Sequence, residues 1–258
     1  MDQLIRIGRL LFAVAMTCFG VECILFASGV AKSVPGPPWT QGSTGLAWLA
    51  GVGFIAAAVC IALRWQGRMA ANLLGVGILL RLLFIHVPGL VARLRDPNRW
   101  TSTFEVLAMG GAALVLAGML PVKVIDSGSV RSNAQSVAVE VGRYLFAIAL
   151  AVFGSQHFMY PGFIATLIPS WIPWHLFWAY FFGAAFIAAA VSIATGTAVR
   201  LTAALLGVMF LLWVVVLHAP RIAAAPHNGN EWTSGFVALA MCGAAFVLAE
   251  RRSVRRGS

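Results

Sequence analysis

Residues His86 to Ala117 read HVPGLVARLRDPNRWTSTFEVLAMGGAALVLA, and residues His218 to Ala249 read HAPRIAAAPHNGNEWTSGFVALAMCGAAFVLA. A shift of 132 aligns them without a gap, with 17 of 32 positions identical. Both hold His-x-Pro, then Asn-x-Trp-Thr-Ser, then an apolar helical run. The match extends backwards: across Gly51–Ala117 against Gly183–Ala249, 34 of 67 positions agree. Shared Ala and Leu are expected of any two apolar helices. The polar elements at fixed spacing are not, so the chain reads as an internal duplication.

The composition sets the class. Of 258 residues, 60% are hydrophobic and 10% charged, against about 25% charged in a soluble domain. Such a chain cannot dress a water-facing surface, and its length suits about eight spans of ~20 residues. The net charge of +10 does not indicate nucleic acid, because no basic stripe matches a phosphate backbone. The basic residues lie between apolar runs and at the termini, where they set topology and meet membrane lipid. Cys18, Cys23, Cys60 and Cys242 all fall inside apolar runs without a Cys-x-x-Cys pair. They read as packed, reduced thiols.

Working outward, hydropathy predicts spans over Leu10–Val30, Gly45–Leu63, Met69–Val87, Thr101–Leu120, Val141–Tyr160, His175–Ala194, Val199–Leu217 and Trp232–Ala249. Pro88 is expected to stop the third. The first run is not a leader: GRLLFAVAMTCFG from Gly8 returns as GRYLFAIALAVFG from Gly142. Polar residues Pro121 to Ser136 mark the seam. The expected organisation is a first four-helix unit over 1–121, a linker over 122–137, a second unit over 138–250 and a basic tail over 251–258. Each unit has an even number of spans, so the two run parallel. The fold class is therefore an all-α integral membrane protein, eight helices in two parallel-repeat four-helix bundles. The positive-inside rule puts both termini in the cytoplasm.

With that orientation His86, His157, His175, His218 and His227 all face outward. So do most tryptophans, Trp100 and Trp232 among them. The tryptophans fit an interfacial belt or an outer pocket roofed by Pro35–Trp39 and Pro169–Trp174. His86 and His218 read either as helix-end residues satisfying free carbonyls or as ligand or proton-transfer groups. No His-x-x-x-His or Glu-x-x-His spacing points to a metal. Asn98 and Asn230 are expected to cap the following helices, leaving their N-termini able to hold an anionic or carbonyl group.

Three ionisable residues lie within the spans of the first half only. Glu22, Arg81 and Glu105 have Gln156, Trp213 and Val237 as counterparts. Ionisable groups in hydrocarbon pair or line a cavity. Arg81 is expected to meet Glu105, Glu22 or both, near His86, as a structural pair or as a polar pocket.

This arrangement resembles the DoxX-like membrane protein family. The resemblance rests on the four-helix unit, on Gly-Arg-x-x-Phe (Gly8, Arg9, Phe12; Gly142, Arg143, Phe146), on IPSWIP (Ile168–Pro173) and on the closing Asn-x-Trp-Thr-Ser-x-Phe helix. The second half matches better, since the first has PGPPW where the family has PSWIP. A family unit is one four-helix bundle, so the chain looks like a fused tandem pair. The resemblance implies a bacterial or archaeal cell (inner) membrane protein, with some relatives tied to quinone-coupled oxidation or membrane oxidoreductase complexes. It carries over no catalytic residue.

Three functions are open at this point. One is a redox-associated subunit holding a quinone or haem near His86, His218, Arg81, Glu105, Glu22, Trp100 and Trp232. Another is a non-catalytic subunit docking other subunits of a membrane complex. A transporter is third, since no coupling pair recurs in both halves.

Overall fold

The computed structural model describes residues 3–27, 44–120 and 133–249. The Pro35–Trp39 connection, most of the seam and the basic tail lie outside the described residues. Every described element is helical: α1 (Gln3–Ala27), α2 (Thr44–Leu63), α3 (Gly67–Val91), α4 (Pro97–Met119), α5 (Asn133–Met159), short α6 (Pro161–Leu167), α7 (His175–Thr195), α8 (Val199–Ala224) and α9 (Gly229–Ala249). All but α6 are long and apolar enough to cross a bilayer. Cys18, Cys23, Cys60 and Cys242 are free thiols.

The centre is decided by small residues. In their most apolar stretches, about 67% of α4 and 72% of α9 is buried, against 22–50% in the other long helices. The run from Ala108 to Gly118 (AMGGAALVLAG) is buried without interruption. Side chains this small let neighbours approach from several sides, as in tightly packed membrane helices. So α4 meets α3, α5 and α9, while α9 meets α1, α4 and α8. The first helix thus packs on the last.

Glycines set the closest approaches. A Cβ on Gly8 would lie 2.5 Å from the Gly243 carbonyl oxygen, and one on Gly243 would lie 2.6 Å from that of Gly8. Gly111 and Gly142 face each other in the same way between α4 and α5. Gly20 meets Gly51 between α1 and α2, and Gly154 meets Gly183 between α5 and α7. The Gly-Arg-x-x-Phe elements acquire a physical meaning here. The glycines admit α9 and α4, and Phe12 and Phe146 fill the core at 1% and 0% exposure. Arg143 is buried beside them, donating Nη1–H to the Ile193 carbonyl at 3.1 Å and pairing with Glu140. That carbonyl belongs to the last turn of α7, where a cation complements the helix dipole.

Three local expectations are corrected. Helix α1 starts at Gln3, so Arg6 and Arg9 lie within it. Helix α3 does not stop at Pro88. A π-helical turn over Leu82–His86, closed by Val87 N–H donating to the Leu82 carbonyl, carries the helix through to Val91. Proline has no N–H and its ring crowds the carbonyl four residues back. Widening the preceding turn relieves that conflict. Pro220 is accommodated identically, with a π-turn over Val214–His218 and Ala219 N–H donating to Val214. Finally, Asn98 does not cap α4. Asp96 does, accepting from Asn98 N–H at 2.9 Å. Asn228 likewise accepts from Asn230 N–H at 3.1 Å.

Candidate functional site

One end of the bundle carries all five histidines: on the π-turns (His86, His218), near the close of α5 (His157), opening α7 (His175) and before α9 (His227). Here α1 joins α9. Thr233 Oγ1 donates to Glu22 Oε1 at 3.0 Å. On the other side of the bundle, Gln156 Nε2 on α5 donates to Thr101 Oγ1 at 3.0 Å and to the Pro97 carbonyl at 3.2 Å. Gln156 stands 134 positions after Glu22, and Thr233 stands 132 after Thr101.

Around His86 the groups are cationic. Arg81 interacts electrostatically with Cys23 and with His86, and Arg99 with His86. A Cβ on Gly89 would lie 3.4 Å from Arg99 Nη1, so this guanidinium rests on the turn after His86. His86 Nε2 is buried without a hydrogen-bond partner. The expected ion pair of Arg81 with Glu22 or Glu105 is not formed. Glu22 is taken by Thr233. Glu105, one turn beyond Thr101 on the same face of α4, has no hydrogen-bond or ion-pair partner among the described residues.

The region around Trp213 is filled with rings. Where the first half has Cys23, Ala50, Phe54, Ile78 and Arg81, the positions 132 or 134 further on are His157, Phe182, Phe186, Phe210 and Trp213. Trp213 contacts Phe182, Phe186 and Phe210 with centroids 5.2–5.8 Å apart, and His157 lies 6.4 Å from Trp213 in stacked orientation. His157 Nδ1 is satisfied by the Phe153 carbonyl at 2.8 Å. Cys23, Ala50 and a guanidinium stand with Phe54 and Ile78 in one place, and five interlocked rings stand in the other.

His218 also differs from His86. Arg221 donates to Glu231 Oε1 at 2.8 Å beside it, so the local charge is neutralised. In the first half those two positions are Gly89 and Arg99. The remaining pair of candidates are structural clamps. Trp100 Nε1–H donates to the Leu94 carbonyl at 2.8 Å and Trp232 Nε1–H to the Pro226 carbonyl at 3.0 Å, each holding its loop six residues back. Each ring leans on the next turn, at Phe104 and Phe236. A cleft of about 580 Å³ lies beyond them, between α6, the Pro169 loop and the end of α8, with His175 and Arg221 on its wall. Among the described residues no three of His, Cys, Asp and Glu converge as a metal site.

The family model of a domain of unknown function (DUF8561) matches residues 146–250. That stretch holds His157, Trp213, His218, Trp232 and the cleft, and excludes Glu22, Arg81, His86, Trp100 and Glu105. No curated protein and no solved structure matches significantly.

The composite nature of the site escaped sequence reasoning. Cys23 reads in the sequence only as a packed thiol, and Arg99 and Thr233 carry no site signal of their own, although the contrast between positions 23 and 157 points to the first. No local pattern reports that Thr233 reaches Glu22.

Proposed function

We propose that the protein is a multi-pass subunit of the cell (inner) membrane with both termini cytoplasmic, that it consists of two parallel tandem units of the DoxX-like type, and that its first half holds the polar head of a quinone for a redox complex. The contrast between the Arg81 region and the ring-filled region around Trp213 carries this reading. A quinone head offers two carbonyl acceptors on an apolar ring. His86 Nε2 supplies a donor for one of them, and Arg81 and Arg99 provide a positive potential toward any negative charge on the head. A haem is the weaker choice. His86 has Nε2 without a partner and His218 has Nδ1, so the two do not form a matched pair of axial ligands. The duplicated Gly-Gly contacts and π-turns support the tandem description, and the arginine distribution supports the orientation.

Mass spectrometry of organic extracts from the purified protein, with its ultraviolet spectrum, tests the idea. A quinone is expected in the wild type and absent in Arg81→Trp, which removes the guanidinium and gives position 81 the ring found at position 213. A folded wild type with no extractable quinone overturns the reading.

A second reading, a non-catalytic docking subunit, has its own observation. A Cβ on Gly53 of α2 or Gly77 of α3 would meet nothing within 4 Å. Small residues left open on a lipid-facing surface allow another helix to approach. Gly51, by contrast, is used inside, against Gly20. Stoichiometric partners that co-purify from native membranes and are lost in Gly53→Leu would favour docking.

A further inference from the structure

The opposite end of the bundle holds a second unmatched feature. Arg9 is 5% exposed, yet its Nε and Nη1 are buried without a hydrogen-bond partner. Its counterpart 134 positions on, Arg143, has both a carboxylate and a carbonyl: Glu140 and Ile193 O. Arg9 Nε and Nη1 bond to neither kind of group. The position matching Glu140 is Arg6, one turn before Arg9 on the same helix face. The carbonyl matching Ile193 is that of Ile61, which accepts the Arg64 N–H at 3.3 Å.

Arg64 adds a third cation. It ends α2 with φ at 60°, a left-handed conformation that ordinary side chains avoid. The matching residue is Gly196, with φ at 79°, which adopts it freely. Arg6 and Arg64 are both exposed and both near enough to repel Arg9. The first half therefore sets three guanidiniums where the second has Glu140, Arg143 and Gly196. A buried cation without a partner is costly, and like charges gathered around it raise that cost. An arrangement of this kind is completed by an anion.

We infer that Arg6, Arg9 and Arg64 form a binding site for a phosphate group of net negative charge, at the membrane surface beside the α1–α2 hairpin. Guanidinium forks match phosphate oxygens in geometry and charge. The level, at the ends of apolar spans, is that of lipid head groups. An acidic phospholipid and a soluble phosphate share this chemistry.

The test uses the full chain in nanodiscs of phosphatidylcholine, of phosphatidylcholine with phosphatidylglycerol, and of phosphatidylcholine with added inorganic phosphate. Thermal unfolding is followed by tryptophan fluorescence, and retained lipid by native mass spectrometry. The wild type is expected to melt higher with a phosphate source. A rise with phosphatidylglycerol alone identifies the lipid; an equal rise with inorganic phosphate identifies the soluble ion. Arg6→Glu, which places beside Arg9 the residue that serves Arg143, is expected to melt independently of either source and to retain about tenfold less phosphatidylglycerol. Arg64→Gly gives a second variant that relieves the backbone instead of straining it, and it too is expected to lose the response. Equal responses in wild type and both variants, or no response of the wild type to either source, overturn the site.

Discussion

Thr233 Oγ1 donates to Glu22 Oε1 across 3.0 Å, tying the last helix to the first over 211 residues of sequence. The bond needs only an acceptor at position 22, and Gln156 on α5 bonds to Thr101 in a similar setting. Glu22→Gln is therefore expected to fold and melt like the wild type. Thr233→Val, which removes the donor, is expected to cost about 1 kcal/mol. A thermal melt of both variants and of the double variant checks this. If Glu22→Gln is as destabilising as Thr233→Val, the interaction depends on charge and not on hydrogen bonding.

The glycine contacts make a sharper demand. Gly8→Ala, Gly243→Ala and Gly142→Ala each drive a methyl against neighbouring backbone, where no side-chain rotation relieves it. Each is expected to destabilise by about 1–3 kcal/mol, as overpacking does. Gly53→Ala meets open space and is expected to be neutral or slightly stabilising through helix propensity. Unfolding in mixed detergent compares all four. A neutral Gly8→Ala would contradict the α1–α9 packing.

Trp100 and Trp232 are expected to act through their loops. Trp100→Phe and Trp232→Phe keep the ring against Phe104 or Phe236 and delete one hydrogen bond, at about 0.5–1.5 kcal/mol. Hydrogen exchange is expected to quicken at residues 92–96 in the first variant and 224–228 in the second. Any ligand held near His86 is expected to stay. Its loss in Trp100→Phe with exchange unchanged would move Trp100 from the loop clamp to the ligand.

Capping separates two adjacent candidates. Asp96→Ala is expected to cost about 1 kcal/mol, because Asn98 N–H then loses its acceptor. Asn98→Ala is expected to change stability little. Melting temperatures of the two variants decide, and the reverse order would restore Asn98 as the cap.

What was legible in the sequence follows the range of the physics. Apolar runs long enough to span a bilayer are a local property, and all eight were placed. The π-turns were not, because a proline normally ends a helix and only tertiary packing rewards carrying the chain on to Val91. The cap moved two residues for a similar reason: Asp96 and Asn98 are both good caps, and the Pro97 at the first helical position selects the residue before it. The charged residues Glu22, Arg81 and Glu105 are legible because apolar runs surround them and positions 132 or 134 further on are uncharged, but their partners are not. Arg81, Glu22 and Glu105 are complementary in sign, which says nothing of whether helices α1, α3 and α4 turn those groups toward one another. Glu22 faces α9 instead.

That placement of α1 against α9 bears on how the protein is made. As α1 enters the membrane during synthesis, the helix that receives its Gly8 face has not been translated. Six further spans must be inserted before the one that carries Gly243 arrives, and until then a buried arginine and a carboxyl at position 22 remain without their final surroundings. Helix α5 has no such delay, since α4 is already there to meet Gly142. Helix α5 can therefore pack as it emerges, whereas α1 gains its α9 contact only when Gly243 has been made, so damage to α9 is expected to be felt at α1, at the far end of the chain, as well as at α8.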